Sequence, residues 1–318
     1  MMEANQTMVT KFILLGLSET WEVQLFLFLF FLVLYVASVF TNILILSAIF
    51  SDHHLSDSPM FFLLGQLAFL DLCLPSFAIP NFFDFLSEHH VISFHGCMAQ
   101  IFFLHLFAGS EMLLLIAMAY DRYVAIAHPL RYATLMNRHH CVGLGLASWA
   151  GGFLHATVQL GFIINAPFCG PNQVNSFFCD LPLVIKLACT DTYLLEVMMI
   201  TNSGIMSLVC FIGLLLSYGF ILYTIHSRSA SERSTKAAST CTSHLIVVTM
   251  YFGPIMFIYL CPSTMLMIDK VLDIVSLFIT PLLNPTIYAL KNKEMKAALG
   301  SLLSRLSGQV STQSHPHH

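Results

Sequence analysis

Charge is what this sequence has least of. Only 9% of its 318 residues are Asp, Glu, Lys or Arg, 57% are hydrophobic, and the mean hydropathy is +0.79. One water-soluble core cannot hide that much apolar surface, so a soluble globular fold is excluded and the chain belongs in a bilayer. A net charge of -4 provides no basic surface for nucleic acid and no pull on a strongly acidic substrate. Signatures of catalysis are missing as well: there is no Gly-x-Ser-x-Gly elbow and no phosphate-binding loop. Fifteen histidines are present, but His53-His54, His89-His90 and His139-His140 are adjacent pairs expected in loops, and His315 is parted from His318 by Pro316. Zinc ligands on a helix face need a spacing of three or four. An enzyme is therefore not expected, nor is a cofactor. Matched, interrupted half-helices, the mark of many transporters, are also lacking.

What is present is a series of apolar runs, each long enough to cross a bilayer, which takes roughly 20 residues with internally satisfied backbone bonds. The first, Val23 to Ser51, is free of charge. The second runs from Pro59 to Leu86 with Asp71 and Asp84 inside it, and the third from Cys97 to Ala127 with Glu111 and an Asp121-Arg122 pair. The fourth lies between Cys141 and Pro167. A long polar, cysteine-bearing stretch precedes the fifth, from Leu194 to Ile225; the sixth spans Ala237 to Cys261 and the seventh Val271 to Leu290. The expected fold is an all-α membrane protein, a seven-transmembrane helix bundle over 23–290 with tails at 1–22 and 291–318.

Lysines and arginines collect on the cytoplasmic side of membrane proteins. With the N-terminus outside, Arg122, Arg131, Arg138, Arg228, Arg233, Lys236, Lys291, Lys293, Lys296 and Arg305 fall inside, and only Lys11, Lys186 and Lys270 fall outside. That bias predicts an extracellular N-terminus and a cytoplasmic C-terminus. The opening residues are too polar for a signal peptide, so the first helix is expected to direct insertion. Asn5-Gln6-Thr7 then sits on the outer tail as a glycosylation acceptor. Cys97, Cys169, Cys179 and Cys189 share the oxidising side, where four thiols allow three pairings. Cys73, Cys141, Cys210, Cys241 and Cys261 fall in or near helices and read as small buried apolar residues.

Four blocks in this chain resemble those of olfactory receptors, in the same order and spacing and over nearly its whole length. They are Pro59-Met60-Phe61-Phe62-Leu63 with Asp71; Met118-Ala119-Tyr120-Asp121-Arg122-Tyr123-Val124-Ala125-Ile126-Ala127-His128-Pro129-Leu130-Arg131-Tyr132; Lys236-Ala237-Ala238-Ser239-Thr240-Cys241-Thr242-Ser243-His244-Leu245; and Pro281-Leu282-Leu283-Asn284-Pro285-Thr286-Ile287-Tyr288. Departures from the family's usual residues occur at Thr41, Phe61, Ala68, Ala127, Phe252 and Lys291. None removes a group on which signalling depends.

The resemblance implies a plasma-membrane receptor, expected in sensory cilia, that binds a small odorant and raises cyclic AMP through a stimulatory, olfactory-type G protein. By the same similarity, Asp121 restrains Arg122 at rest, and Arg122 faces the G protein on activation together with Tyr123, Tyr218 and Tyr288. Asn284-Pro285 supplies a kink that can rearrange, since proline removes a backbone donor. The disulfides implied are Cys97 with Cys179 and Cys169 with Cys189. Asp71 and Glu111 are costly at mid-membrane depth and should face the interior. Two carboxylates there would hardly both ionise without a cation. Either one is protonated beside Asn42 and Asn284, or the pair holds sodium.

The ligand class narrows by absences. No lysine lies between Asp273 and Leu290 to form a retinal Schiff base, and Leu104 stands where amine receptors carry an aspartate in the third helix. Matching to the family's helices gives a pocket of His105, Ala108, Gly109, Met112, Asn202, Met206, Phe252, Ile255, Tyr259 and Leu277, mostly apolar as small-molecule sites are. Each buried methylene contributes about 0.8 kcal/mol, so an odorant of about ten carbons reaches micromolar affinity without an ion pair. His105, Asn202 and Tyr259 stand out because a polar tip among apolar neighbours needs a partner.

Overall fold

The computed structural model describes residues 9–17, 20–79, 91–228, 232–261 and 266–313, with backbone alone at 228, 232–240, 266–267, 288–291 and 306–313. Among the described residues, seven helices are long and apolar enough to cross a membrane: α1 (Trp21–Ser51), α2 (Pro59–Ala78), α3 (Phe94–Ala127), α4 (Arg138–Ile163), α5 (Tyr193–Ser227), α6 (Glu232–Leu260, apolar from Cys241) and α7 (Ile268–Ile287). At about 1.5 Å per residue, even the 20-residue α2 matches the roughly 30 Å hydrocarbon layer.

The starts of these helices are written locally. Pro59 occupies the first turn of α2, where its missing N–H costs nothing. Ser93 Oγ accepts from the Gly96 amide at 3.0 Å to cap α3, and Asn137 Oδ1 accepts from the His140 amide at 2.9 Å to cap α4. Two expectations are corrected here: His139 and His140 lie in the first turn of α4, and His53 and His54 in a short helix, His53–Ser56, rather than in loops. The 291–318 tail carries an eighth helix, α8 (Lys293–Gln313), and the N-terminal segment contributes a strand. Asn5, His89-His90 and His315 with His318 lie outside the described residues.

The helix α3 is the axis of the bundle: 67% of its most apolar window is buried inside the protein, against 17% for α1, whose Phe26, Val33 and Phe40 face outward. Lipid covers such surfaces as readily as protein does, so helices in a bilayer are held by close packing and polar ties. Tyr35 Oη lies 3.0 Å from Ser76 Oγ and joins α1 to α2, while Trp149 Nε1 donates to Gln66 Oε1 at 2.9 Å and joins α4 to α2.

Over one end of the bundle lies a three-stranded sheet. Strand β1 (Lys11–Leu14) pairs antiparallel with β2 (Val91–Ser93), Phe12 opposite Ile92, and parallel with β3 (Gln173–Val174), Leu14 opposite Val174. Phe12 and Leu14 are buried in a second apolar cluster with Cys97, Ile101, Phe168 and Cys179, separate from the main bundle core. This cap ties together the N-terminal segment, the start of α3 and the α4–α5 connection.

The tightest helix contact is between α3 and α4. A Cβ added at Gly152 would stand 2.6 Å from both the Leu106 carbonyl oxygen and the Ser110 nitrogen, closer than side chains come to backbone. Gly152→Ala is therefore expected to force α3 and α4 apart and cost about 1 to 3 kcal/mol. Gly143→Ala meets nothing within 4 Å and should be neutral. Thermal unfolding of the two purified variants in detergent checks this; equal melting temperatures would refute the close approach.

Candidate functional site

Beneath the sheet, a cavity opens between α3, α5, α6 and α7, with a volume of about 80 Å³. Six of the ten residues expected from sequence line it: His105, Ala108, Met112, Ile255, Tyr259 and Leu277. The other four lie elsewhere. Gly109 packs against His155 and Gly152 of α4, Phe252 is fully buried against Phe211 and Tyr251, and Met206 rests on the main core. Asn202 stands behind the wall, where its amide donates to Gln159 Oε1 at 2.5 Å and to the His155 carbonyl at 3.2 Å.

Two local devices shape this cavity, and neither was visible in the sequence. The backbone of α5 widens into a π-helical turn at Ile200–Ile205, and that of α7 into another at Val275–Ile279. In the second, Thr280 Oγ1 donates to the carbonyl of Val275, five residues back, at 3.0 Å. An extra residue per turn rotates neighbouring side chains around the axis, and such turns recur at functional sites. Ser203 from the first turn and Ser276 and Leu277 from the second line the cavity. The roof is the loop after β3: Phe178, Cys179, Asp180 and Leu181 reach the cavity, fixed to the start of α3 by the Cys97–Cys179 disulfide, whose Cα atoms are 5.5 Å apart. Gln100 reinforces the joint by accepting from the Cys179 amide at 2.8 Å. Cys169 is bonded to Cys189 within the same loop.

Polar tips in the wall are paired or aimed inward. His105 Nδ1 is 2.8 Å from the Ile101 carbonyl, so that nitrogen donates and Nε2 is left to accept from Tyr259 Oη at 3.1 Å. Tyr251 Oη donates to the Ala108 carbonyl at 2.7 Å. Asp180, Asp273, His155 and Tyr251 all line the cavity, although sequence reasoning named none of them. A carboxylate in a predominantly apolar outer helix, as Asp273 is, was the available signal.

At mid-depth the structure gathers the expected polar residues. Asn284 Nδ2 donates to Glu111 Oε1 at 2.8 Å and to Asp71 Oδ1 at 3.3 Å, all three fully buried. Asn42 is not part of that knot; its amide donates to the Pro281 carbonyl at 3.0 Å and to the Ser38 carbonyl at 2.9 Å, tying α1 to the backbone of α7 just before the Asn284-Pro285 kink.

At the end opposite the sheet, Asp121 and Arg122 point to different partners. Asp121 Oδ1 accepts from the Tyr132 hydroxyl at 2.8 Å, and Arg122 Nη2 meets Met60 Sδ at 2.7 Å. No ion pair joins Asp121 to Arg122 among the described residues; the one within 4 Å is Arg138 with Asp57. Burial and the Asp121 carboxylate push the Tyr132 phenol up, which keeps it a donor. Tyr218 Oη lies 2.9 Å from His244 Nδ1, and both rings sit within electrostatic range of Arg122. His244 was quoted in the sequence pattern but given no role. Tyr123 packs its ring on Phe220 and His128. The Tyr288 side chain lies outside the described residues.

A seven-helix bundle with a roofed cavity at one end and a half-buried arginine, Arg122, beside Tyr218 and His244 at the other defines a membrane receptor of the G-protein-coupled class. The family profile "Olfactory receptor" matches residues 31–305. Among curated relatives, human Olfactory receptor 4K3 is 55% identical over 98% of this chain and 99% of its own, and human Olfactory receptor 4K14 is 54% identical over 95% and 97%. Human Olfactory receptor 4F17 is 52% identical over 93% and 96%. The chain belongs to the olfactory receptor family: a multi-pass plasma-membrane receptor for small molecules, coupled to a G protein, and not an enzyme.

The paired cysteines give a direct test of the roof. Peptide mapping without reduction should recover Cys97 joined to Cys179 and Cys169 joined to Cys189; Cys97 joined to either of the other two would redraw the loop over the cavity.

Proposed function

We propose that the cavity beneath the sheet is the odorant site and that the Arg122 end activates a stimulatory, olfactory-type G protein, raising cyclic AMP. The observation that carries this reading is the cavity itself, roofed by a disulfide-anchored loop and walled by apolar side chains with a few convergent polar tips. Excluding water around an apolar ligand is what gives its burial value. The sheet end then faces outward, with residues 1–22 outside, 23–290 as the receptor domain and 291–318 inside, which agrees with the lysine and arginine bias. Asn5 is the glycosylation site in this arrangement, and sensory cilia are the destination expected for the family.

Activation runs through residues that already touch. Arg122 is held by Met60 on α2, Tyr218 by His244 on α6, and Asp121 by Tyr132. An outward swing of α6 separates Tyr218 from His244 and frees the tyrosine to approach Arg122. In the middle, Asp71, Glu111 and Asn284 fit a sodium ion, because Asp71 Oδ2, Glu111 Oε2 and Asn284 Oδ1 are buried oxygens without partners. Such a cation would neutralise the two carboxylates and favour the resting arrangement.

Two substitutions test this reading. Arg122→Ala should leave ligand binding nearly intact and abolish the cyclic AMP rise; full signalling at normal surface expression would sink the assignment. Tyr259→Phe removes one hydrogen bond, a net of about 0.5 to 1.5 kcal/mol, so an oxygen-bearing agonist should weaken about threefold to tenfold while a hydrocarbon analogue is nearly unaffected. Expression-corrected dose-response curves for the pair decide it. Equal losses would mean that the hydroxyl serves only His105 and the packing around it.

A further inference from the structure

The cavity holds more acidic groups than an apolar odorant requires. Asp180, from the roof loop, and Asp273, from the first part of α7, both line it and are 5% and 7% exposed. Asp269 lies within electrostatic range of both. Burial, with Asp269 adding to it and Lys186 opposing, pushes the Asp180 carboxyl up to about 7. Lys270 donates to the Gly16 carbonyl and to Asn175 Oδ1, both at 2.8 Å, and Lys186 acts on Asp180 and Asp269, whereas the charged neighbours of Asp273 are the two other carboxylates. Among the described residues, Asp273 makes no hydrogen bond or ion pair.

A second feature of the same wall is independent of these acids. His155 Nδ1, Ser203 Oγ and Ser276 Oγ line the cavity, and each is a buried polar atom without a hydrogen-bond partner, with His155 and Ser203 only 4% and 1% exposed. A buried polar group left unpaired is costly, so a wall that keeps several of them together is waiting for a complementary ligand. Hydroxyl oxygens and an imidazole nitrogen can accept hydrogen bonds, as the carboxylates do. An alcohol or aldehyde brings at most one donor and no charge; an ammonium brings three donors and the cation that gathered carboxylates lack.

We propose that this receptor takes a small amine, its ammonium held by Asp273 and Asp180 at the roof of the cavity and its hydrocarbon seated against Leu104, Ile255 and Leu277. The aspartate that amine receptors carry in the third helix is replaced by Leu104, and the counter-charge comes instead from α7 and the loop. The inference rests on the cavity being the ligand site and names the class of ligand.

The test is a matched series of one skeleton, phenethylamine, phenethyl alcohol and ethylbenzene, read as cyclic AMP in cells expressing the full chain, with surface expression measured in parallel. Phenethylamine should act at concentrations at least about tenfold below the alcohol, as a charge-assisted bond in a buried site allows. Asp273→Asn should erase that advantage and leave the alcohol within about threefold. Asp180→Asn provides the second variant should the first not reach the surface. Equal potency of amine and alcohol in the unmodified receptor, an amine advantage that survives both asparagine variants, or silence to all three compounds at normal surface expression would overturn the proposal. Activation by the alcohol and hydrocarbon alone would discard the amine and keep the cavity. Responses that Asp273→Asn and Tyr259→Phe both leave untouched would remove the cavity reading itself.

Discussion

Everything in this bundle depends on one buried amide. Asn284 donates to Glu111 and to Asp71, so a single side chain of α7 holds the two carboxylates that α2 and α3 carry into the middle of the membrane. Lipid offers no hydrogen bonds, and each polar group placed there needs a partner from the protein. The same constraint recurs one turn away, where Asn42 bonds the Pro281 carbonyl and so fastens α1 to the segment preceding the Pro285 kink. Packing alone would leave these helices free to slide, because hydrocarbon tails cover an apolar helix as well as another helix does.

That polar knot divides the receptor into two working ends. Above it, α5 and α7 each widen by one π-helical turn, and the cavity occupies the space their side chains open. Below it, α3, α5 and α6 meet through Arg122, Tyr218 and His244. A ligand that draws α6 and α7 together at the cavity acts on Tyr259, Ile255 and Leu277, and those helices carry His244 and Asn284 at their inner halves. Two sites are coupled when one bistable element is biased by both. In the proposed activation α6, which carries Pro254 inside it, would be that element.

The sheet end explains why the cavity is enclosed. Strand β1 burns no helical length; it uses residues before α1 to bury Phe12 and Leu14 against the disulfide-bonded loop. The roof is thus fastened by Cys97–Cys179, by Gln100 on the Cys179 amide, and by Lys270 bonded to Gly16 and Asn175. Acidic groups placed under such a roof are shielded from bulk water, which strengthens their hold on a cation.

Seven long apolar runs and their few charges were legible in the sequence, because each spanning helix satisfies its own backbone and needs no knowledge of its neighbours. The family blocks likewise marked Asp71, Asn284 and Arg122, Glu111 stood out as a charge inside the third apolar run, and six of the ten residues expected in the pocket line the cavity. What stayed hidden depends on more than one element at once. The π turns that bring Ser203 and Ser276 into the cavity arise from a one-residue change in helix phase, which hydrophobic periodicity does not resolve. Strand β1 exists only because β2 and β3 lie on either side of it, although they are about 80 residues away from each other along the chain. Gly109, Asn202, Met206 and Phe252 sit on the correct helices but turn to α4, α5 or the core. Asp273 is marked only as a carboxylate in an apolar run and Asp180 not at all, and only the folding of a loop onto α7 makes them neighbours. Composition and local pattern determined that this is a seven-helix receptor; tertiary contact decided what its cavity presents to a ligand.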